Sequence, residues 1–486
     1  AVDAAIGAIL TACVAEPMLA SLGGGGHALI QSDDHTTECL DFFTQTPRTL
    51  RQGALDFYPI VGNFGTDHQE FHVGLASVAT PGVLVGLDAL SARHGCLPKS
   101  RLIEPACQCA TQGVALNALQ HHTLEILEPI VRSTPEARCW AGIKSADGPL
   151  PAIGQVISNR PLADFLCEWA QEGARVFYQG PVAAEFAQKS QALGGHLQQA
   201  DFDGYRAIWR TPLTWRYRDA RLFSTPPPAL GGTMLALSTL ALSQRLKSDV
   251  SFGSPEHVEA LVQSMHHAVD RRAQLERQSD SEESLSQAIE TIIDQHAKST
   301  RGTTHISIDD GQGMGVSVTL SNGEGSGQVL ETAGIMMNNM LGEEDLNRSG
   351  FHRWPENRRL ASMMTPTVVN RDNGDRYLLG SGGSNRIRTA LMQVIVNLLD
   401  FDLGLQEAIE APRIHLEDQH LSIELAERWD QKTADWFLAH HKHATPWPKR
   451  SLFFGGVHAV GPHGAYADTR REGAAYQARS VIKPQF

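Results

Sequence analysis

The sequence predicts a mixed α/β chain, and three observations carry that prediction. At 486 residues the chain is too long for one ordinary core, and its 42% hydrophobic content with 7% aromatics is that of a globular protein rather than a disordered or fibrous one. Apolar residues recur at helical spacing in several segments. In at least one stretch they alternate with polar residues across turn chemistry, the mark of a β-hairpin.

Small and apolar residues run at helical spacing from Ala4 to Leu19, Gly23-Gly24-Gly25-Gly26 ends that helix, and His27-Ala28-Leu29-Ile30 begins a strand. No Gly-Lys-Ser/Thr follows, so close backbone approach explains the glycines better than a phosphate loop does. Residues around 160–200 and 233–300 read as helix-rich. Ser254-Pro255-Glu256-His257 is a helix start, and Val258, Val262, Met265 and Val269 form its apolar stripe. From about Gln278 to Gly302 the chain turns polar, as an exposed connector would. Composition then changes. Thr304 to Ile308 alternates, Asp309-Asp310-Gly311-Gln312-Gly313 is turn chemistry, and Val316, Val318 and Leu320 alternate again. Further on, Gly380-Ser381-Gly382-Gly383-Ser384 precedes a helix striped by Leu391, Val394, Ile395 and Leu398.

Lys plus Arg is 41 against 54 Asp plus Glu, a net charge of −13 that opposes a phosphate backbone, so nucleic acid is not an expected partner. No run approaches the ~18 consecutive apolar residues of a membrane span. The chain opens on Ala1-Val2-Asp3-Ala4-Ala5-Ile6, which reads as a helix interior, so a preceding segment is expected to be missing and the compartment is unfixed, with cytoplasm placed ahead of periplasm. The seven cysteines (Cys13, Cys39, Cys96, Cys107, Cys109, Cys139, Cys167) are odd in number and lack CxxC pairs. They read as reduced, mostly buried thiols rather than a disulfide framework.

Thr303 follows Gly302 at the seam between the polar connector and a strand. A hydroxyl there can attack the Gly302 carbonyl, and hydrolysis of the resulting ester leaves Thr303 with a free α-amine as its own general base. With a pKa near ~7.7–8.0, such an amine is poised for work at neutral pH. Taken alone, Gly-Thr-Thr before a strand also suits a surface turn.

A series of ordered motifs argues against the turn: Ala1 to Ala5 with Glu16-Pro17 and Gly23 to Gly26; Thr80-Pro81-Gly82; Thr225 to Ala236, reading TPPPALGGTMLA; Thr303-Thr304-His305-Ile306-Ser307; Gly325-Ser326-Gly327; Asn338-Asn339; Ser362 to Thr367; Gly380 to Ser384; and Arg470 to Ala475. In this series the chain resembles the γ-glutamyltranspeptidase (glutathione hydrolase) family of N-terminal-nucleophile hydrolases. The resemblance implies an αββα four-layer sandwich and autocatalytic cleavage of a zymogen between Gly302 and Thr303. Residues 1–302 would be the large subunit, staying packed against the small one, 303–486. It implies Thr303 as nucleophile and a second strand hydroxyl holding it, at Ser321 with Thr319 the fallback. Backbone N–H groups of Gly382 and Gly383 would meet the oxyanion, as a glycine turn at a helix N-terminus can. An ungapped match of GSGGSN would move those donors to Gly383 and Ser384.

The same resemblance thins at substrate recognition. The family's carboxylate-binding Arg falls on Phe43, with Arg48 and Arg51 the nearest substitutes, and its paired serines read Ala361-Ser362, leaving Ser362. On the ammonium side the strand Asn falls on Gly323 beside Asn322, the position after Asn338-Asn339 is Met340, and the following acid is Glu343 or a neighbour. Each lost charge-assisted partner is worth roughly 1.5–3 kcal/mol, which weakens the case for a strict glutathione substrate. The expected function is therefore cleavage of a γ-glutamyl or related acyl amide through an acyl-enzyme on Thr303, with hydrolysis or transfer to an amine. The alternatives are an acylase of the cephalosporin-acylase or oxamate-amidohydrolase kind, and an uncut binding module.

No cofactor is required, since nucleophile, base and oxyanion donors are all protein groups. The expected partners are a small-molecule amide and the two subunits of one precursor, with a homodimer left open. Clustered histidines at His121-His122, His266-His267 and His440-His441-Lys442-His443 lack an HExxH or cysteine partner and read as structural rather than as a metal site. No GxSxG elbow supports a Ser-His-Asp hydrolase.

Overall fold

The structure, a computed structural model, describes residues 1–478 apart from 64–67, 279–302, 348–349, 418, 426–428 and 430. The expected connector, and with it Gly302, lies almost wholly outside the described residues.

Two antiparallel sheets form the centre. The first orders β6-β7-β1-β2-β3, from β1 (Gly25–Gln31), β2 (Thr37–Asp41), β3 (Ile208–Arg210), β6 (Thr304–Asp309) and β7 (Gly315–Ser321). The second orders β11-β10-β9-β8-β5-β4, from β4 (Leu213–Tyr217), β5 (Ala220–Ser224), β8 (Thr367–Arg371), β9 (Arg376–Gly382), β10 (Gly456–Gly461) and β11 (Gly464–Ala467). Each sheet takes strands from both sides of residue 302, so the two segments interleave rather than forming separate domains.

Helices cover the outer faces. On the first sheet lie α1 (Val2–Ala15), α2 (Val83–His94), α3 (Glu104–Gln112) and α4 (Arg160–Glu172). Ile6, Ile9 and Leu10 of α1 pack there with Leu84 and Leu87 of α2, Trp169 of α4, and Val316, Val318 and Leu320 of β7. The second sheet is covered by α5 (Gly231–Arg245), α6 (Pro255–Gln278) and α7 (Arg386–Leu399). The predicted stripes Val258, Val262, Met265, Val269 and Leu391, Val394, Ile395, Leu398 all enter that second core. Every residue of α7 is buried, including Arg386, Arg388, Thr389, Gln393 and Asn397 beside its apolar stripe.

Between the sheets the apolar contact is small: Leu29, Cys39, Val368 and Leu378, with Phe223 against them. Much of the remaining inner surface is polar. Ser317 Oγ on β7 donates to the Leu379 carbonyl of β9 (3.0 Å) and accepts from the Thr367 amide (3.2 Å), fastening one sheet to the other. The layers are thus α, β, β, α, as expected.

The hairpin before β7 turns as its residues dictate. Asp309 accepts from the Gly311 amide, Asp310 accepts from those of Gln312 and Met314, and Gly311 and Gly313 take the positive φ values of 66° and 112°. The glycine run after α1 is there for close approach. A Cβ on Gly24 would stand 2.3 Å from the Ser321 carbonyl, and one on Gly25 2.7 Å from the Thr44 amide. One expectation is corrected: all seven cysteines are free, but only Cys13 and Cys39 are buried, while Cys96, Cys139 and Cys167 are exposed. Cys167 lies on the solvent side of α4, and Cys96 and Cys139 lie in a loop and a short helix at the surface. Among the described residues no helix is long and apolar enough to cross a membrane.

Candidate active site

Strand alternation builds the site. On β7, Ser317, Thr319 and Ser321 face the second sheet while Val316, Val318 and Leu320 face the helices. On β6, His305 and Ser307 share the inner face, and the register pairs Thr304 with Leu320 and His305 with Thr319. One step beyond the ladder, Thr303 comes opposite Ser321 on the same inner face. Thr303 is 6% exposed and Ser321 8%.

The fallback hydroxyl is otherwise engaged. Thr319 Oγ1 lies 2.8 Å from His305 Nδ1, and His305 Nε2 lies 2.8 Å from Ser307 Oγ, a closed chain one row deeper than Thr303. Burial and the nearby His458 hold His305 well below the usual imidazole range, so it is neutral. Ser321 Oγ accepts from the Gly323 amide at 3.1 Å.

The glycine turn meets Thr303 from the second sheet. A Cβ on Gly382 would stand 2.4 Å from the Thr303 carbonyl oxygen, so only glycine fits where β9 ends. Gly383 follows with φ 114° and Ser384 with φ 53°, and α7 begins at Arg386. The positive end of a 14-residue helix therefore opens beside Thr303. Ser381 Oγ steadies the turn, donating to the Gly382 carbonyl (2.7 Å) and accepting from the Gly456 amide (3.1 Å).

Two charged residues stand on the far side of Thr303. Thr304, pointing to the helix layer, donates its hydroxyl to Glu16 at 3.0 Å. The Arg471 guanidinium lies 3.0 Å from where a Gly382 Cβ would be and 3.3 Å from that of Gly383. Burial and the neighbouring Arg386 bring the Arg471 pKa down to about 10, which leaves it cationic at neutral pH.

The expected recognition residues gather around the same end of the sheet. Asn322 is 1% exposed, and neither atom of its side-chain amide has a hydrogen-bond partner in the protein. Glu343 is fully buried, its carboxylate 2.7 Å from where a Gly323 Cβ would stand, while Asn339 Oδ1 would be 2.1 Å away. Gly323, at φ 61°, could not carry an asparagine without displacing both. Ser362 Oγ is 3.1 Å from His27 Nε2 on β1, and its carbonyl accepts from the amides of Leu230 and Gly231, which brings the TPPPALGG segment to the site.

Phe43 continues β2 and stacks on His27 with centroids 5.8 Å apart. Its ring belongs to an apolar cluster with Ala79, Met340, Leu341, Trp354 and Met364. Behind it lies a polar network that sequence reasoning missed. Asp41 accepts from the Phe43 amide (3.0 Å) and from Arg210 (2.8 Å), with Arg359 Nε 3.4 Å away. Arg359 also donates to the Phe43 carbonyl and to Tyr205. Against burial, His27, Arg359 and Arg210 hold the Asp41 carboxyl below its usual range, and burial lowers the His27 pKa to about 4. Arg48 and Arg51, the nearest sequence substitutes, do not reach this place. Arg48 packs its guanidinium on Gly204, and Arg51 donates to the Gln191 carbonyl. The available signal was a histidine and an aspartate at alternate positions of buried strands, but their arginine partner is some 300 residues away.

Among the described residues no three His, Cys, Asp or Glu side chains converge as a metal site would require. His121 caps the Pro151 carbonyl at 2.9 Å and His441 sits 3.3 Å from Glu259, both ordinary structural contacts.

An αββα sandwich with a threonine immediately before a strand of one central sheet is the arrangement of the N-terminal-nucleophile hydrolases. Residues 1–478 match the family description Gamma-glutamyltranspeptidase, and the chain belongs to that family. It is 28% identical over 456 residues to the glutathione hydrolase proenzyme of Escherichia coli K12, covering 85% of this chain and 77% of that protein. It is 27% identical over 453 residues to the acylase ACY 1 proenzyme of Pseudomonas sp. strain V22, covering 88% and 80%. Among solved structures, the cephalosporin acylase of Bacillus halodurans superposes with a TM-score of 0.78 at 21% identity, covering 99% of this chain and 92% of that one, a likeness of fold.

Proposed function

We propose that this chain cuts itself before Thr303 and then works as a threonine amidohydrolase on a γ-glutamyl or related acyl amide. The observation that carries the reading is the place of Thr303: buried, immediately before β6, one step past the Thr304–Leu320 pair and against Gly382. In the first reaction the Thr303 hydroxyl adds to the Gly302 carbonyl, the peptide nitrogen leaves as the Thr303 amine, and water hydrolyses the ester. In the second, that amine takes the hydroxyl proton as Oγ adds to the substrate amide. The oxyanion is met by backbone N–H groups of the Gly382–Gly383 turn at the α7 terminus, and the amine returns the proton to the leaving nitrogen. Water, or a second amine, then takes the acyl group from Thr303. Ser321 is the hydroxyl that orients the nucleophile, since Thr319 is held by His305.

Asn322, Glu343 and Ser362 line the acyl side, with Phe43 at its end. The relatives named glutathione hydrolase favour a γ-glutamyl donor. A second reading, an acylase for uncharged acyl groups, is favoured by Phe43, because the cations nearest its ring are committed to Asp41 and to backbone carbonyls.

The test is the intact mass of wild type and Thr303→Ala after incubation near neutral pH. Wild type should split into fragments ending at Gly302 and beginning at Thr303 while the variant stays whole. A screen with glutathione, glutaryl amides and apolar acyl amides then decides the donor. Wild type that remains whole would sink the reading and leave a binding module.

A further inference from the structure

Cys107-Gln108-Cys109 lies on α3, where two side chains two residues apart point roughly 200° apart around the helix, so only one of the cysteines can face a given neighbour. Cys107 is the one that faces α4. Its Sγ donates to the Ala163 carbonyl at 3.7 Å, the carbonyl that the helix ladder of α4 pairs with the amide of Cys167. Ala163 and Cys167 are four residues apart on one side of α4, and the Cys107 thiol is within hydrogen-bonding reach of the Cys167 thiol as well. Two thiols thus meet across a pair of helices that share the first core through Ala106, Leu162 and Leu166. The amidohydrolase reading makes no use of them.

The two thiols differ in access. Cys167 is exposed, at the rim of the contact, and Cys107 is half-buried. Burial, with the neighbouring Cys167, pushes the Cys107 thiol up to about 12, so it stays protonated at neutral pH. A dissolved disulfide therefore meets Cys167 first, because exchange needs an accessible thiolate. Once Cys167 is capped it can no longer carry a charge, and one cause that keeps Cys107 protonated is gone. Cys107 then already stands beside the sulfur it has to attack.

We propose that Cys107 and Cys167 are a redox-sensitive pair, oxidised by low-molecular-weight disulfides to a cross-link that fastens α3 to α4. The Cys167 thiolate bonds to one sulfur of the small disulfide, whose S–S bond breaks and whose other half leaves as a thiol. The Cys107 sulfur, losing its proton, then bonds to Cys167 Sγ. The mixed disulfide breaks, and the second small thiol leaves with that proton. Two electrons and two protons pass from the protein to the small disulfide, which is reduced as the cysteine pair is oxidised. The closed loop runs from 107 to 167, wholly before Gly302, so the cross-link forms whether or not the chain is cut at Thr303. It restricts the unfolded chain and so stabilises the helix layer over the first sheet.

The test exposes wild-type protein to 2-hydroxyethyl disulfide near neutral pH, alkylates the remaining thiols and maps the peptides by mass, with thermal unfolding recorded on the same samples. Peptides joined through Cys107 and Cys167 are expected, and dithiothreitol should separate them. The cross-linked protein should melt about 2–4 °C above the reduced one. Cys107→Ser removes the resolving thiol, so the reagent should stay trapped on Cys167 and that rise in melting temperature should be lost. Reagent stranded on Cys167 of the wild type, or a cross-link from Cys109 in place of Cys107, overturns the pair. A cross-link between Cys107 and Cys167 that leaves the melting temperature unchanged overturns the stabilising role. Should Cys107→Ser not fold, the wild-type peptide map and melting curves decide alone.

Discussion

The two faces of the five-stranded sheet are both buried, yet they are made of different residues. Toward the helices, β7 presents Val316, Val318 and Leu320, and β6 presents Ile306 and Ile308. Toward the second sheet the same strands present Ser317, Thr319 and Ser321, and Thr303, His305 and Ser307. The outer face needs only apolar area, whereas the inner face must satisfy every polar group or hold it for chemistry. Ser317, Thr319 and His305 are satisfied within the fold. At the end of the sheet the buried Asn322 amide makes no hydrogen bond within the protein, close to Thr303, the proposed nucleophile.

The largest break in this division comes from the turn that closes the inner face. Gly382→Ala would set a methyl group 2.4 Å from the Thr303 carbonyl, so cleavage and turnover should both be abolished, read as uncut chain by mass and as no product from any amide. The fold should survive, because the clash sits at the end of the sheet, which far-ultraviolet circular dichroism checks.

Next comes a pair of neighbouring residues on opposite faces. Ser321→Ala should lower turnover on the order of a hundredfold. Its stability should stay within about 2 kcal/mol of wild type, since the loss is of polar contacts at the end of a strand, the hydrogen bond from the Gly323 amide among them. Leu320→Ala should do the reverse, costing about 2–4 kcal/mol in urea unfolding while activity per folded molecule is kept. If both variants lose activity and stability alike, the division between the faces is wrong.

Acid sharpens the comparison further. His27 sits in the inner-face network facing Asp41, Arg210, Arg359 and Ser362, and its pKa of about 4 lies below the unfolded value of 6.5. The unfolded chain therefore binds the proton first, and stability is lost as pH falls from 6.5 toward 4. At pH 5 the loss due to His27 is about 2 kcal/mol. His27→Gln should remove that much of the drop in unfolding free energy between pH 7 and pH 5. The other buried histidines, such as His257 and His415, would keep theirs.

Much of this was legible in the residues. Alternation in Thr304 to Ile308 and Val316 to Leu320 gives the hairpin, and the ordered motifs give the family and the four layers. Alternation alone assigns the polar side to water. That Ser317, Thr319 and Ser321 face a second sheet follows only from contacts with β8 and β9, which no local pattern encodes. Ser321 and Thr319 were both open because a strand hydroxyl looks the same in either place. What separates them is His305 bonding to Thr319. The Asp41–Arg359 network was invisible for the same reason: its strength comes from burial and from a partner on a distant loop. Glu16 and Arg471, which stand beside Thr304 and Gly382, come from opposite ends of the chain.

The smallest effect tests Thr304, the polar residue that breaks the outer face of β6. Thr304 points toward the helices, where its neighbours on β6 are apolar, and it is only partly buried, with its hydroxyl bonded to Glu16. Thr304→Val keeps the shape and removes the hydrogen bond. A bond to a carboxylate is stronger than a neutral one, but this site is wet enough that a loss of about 1 kcal/mol in stability is expected. If Thr304 only fills space, turnover should not change. If it holds Glu16 in place beside Thr303, turnover should fall severalfold while the fold is kept. Steady-state kinetics and urea unfolding of the same variant separate the two.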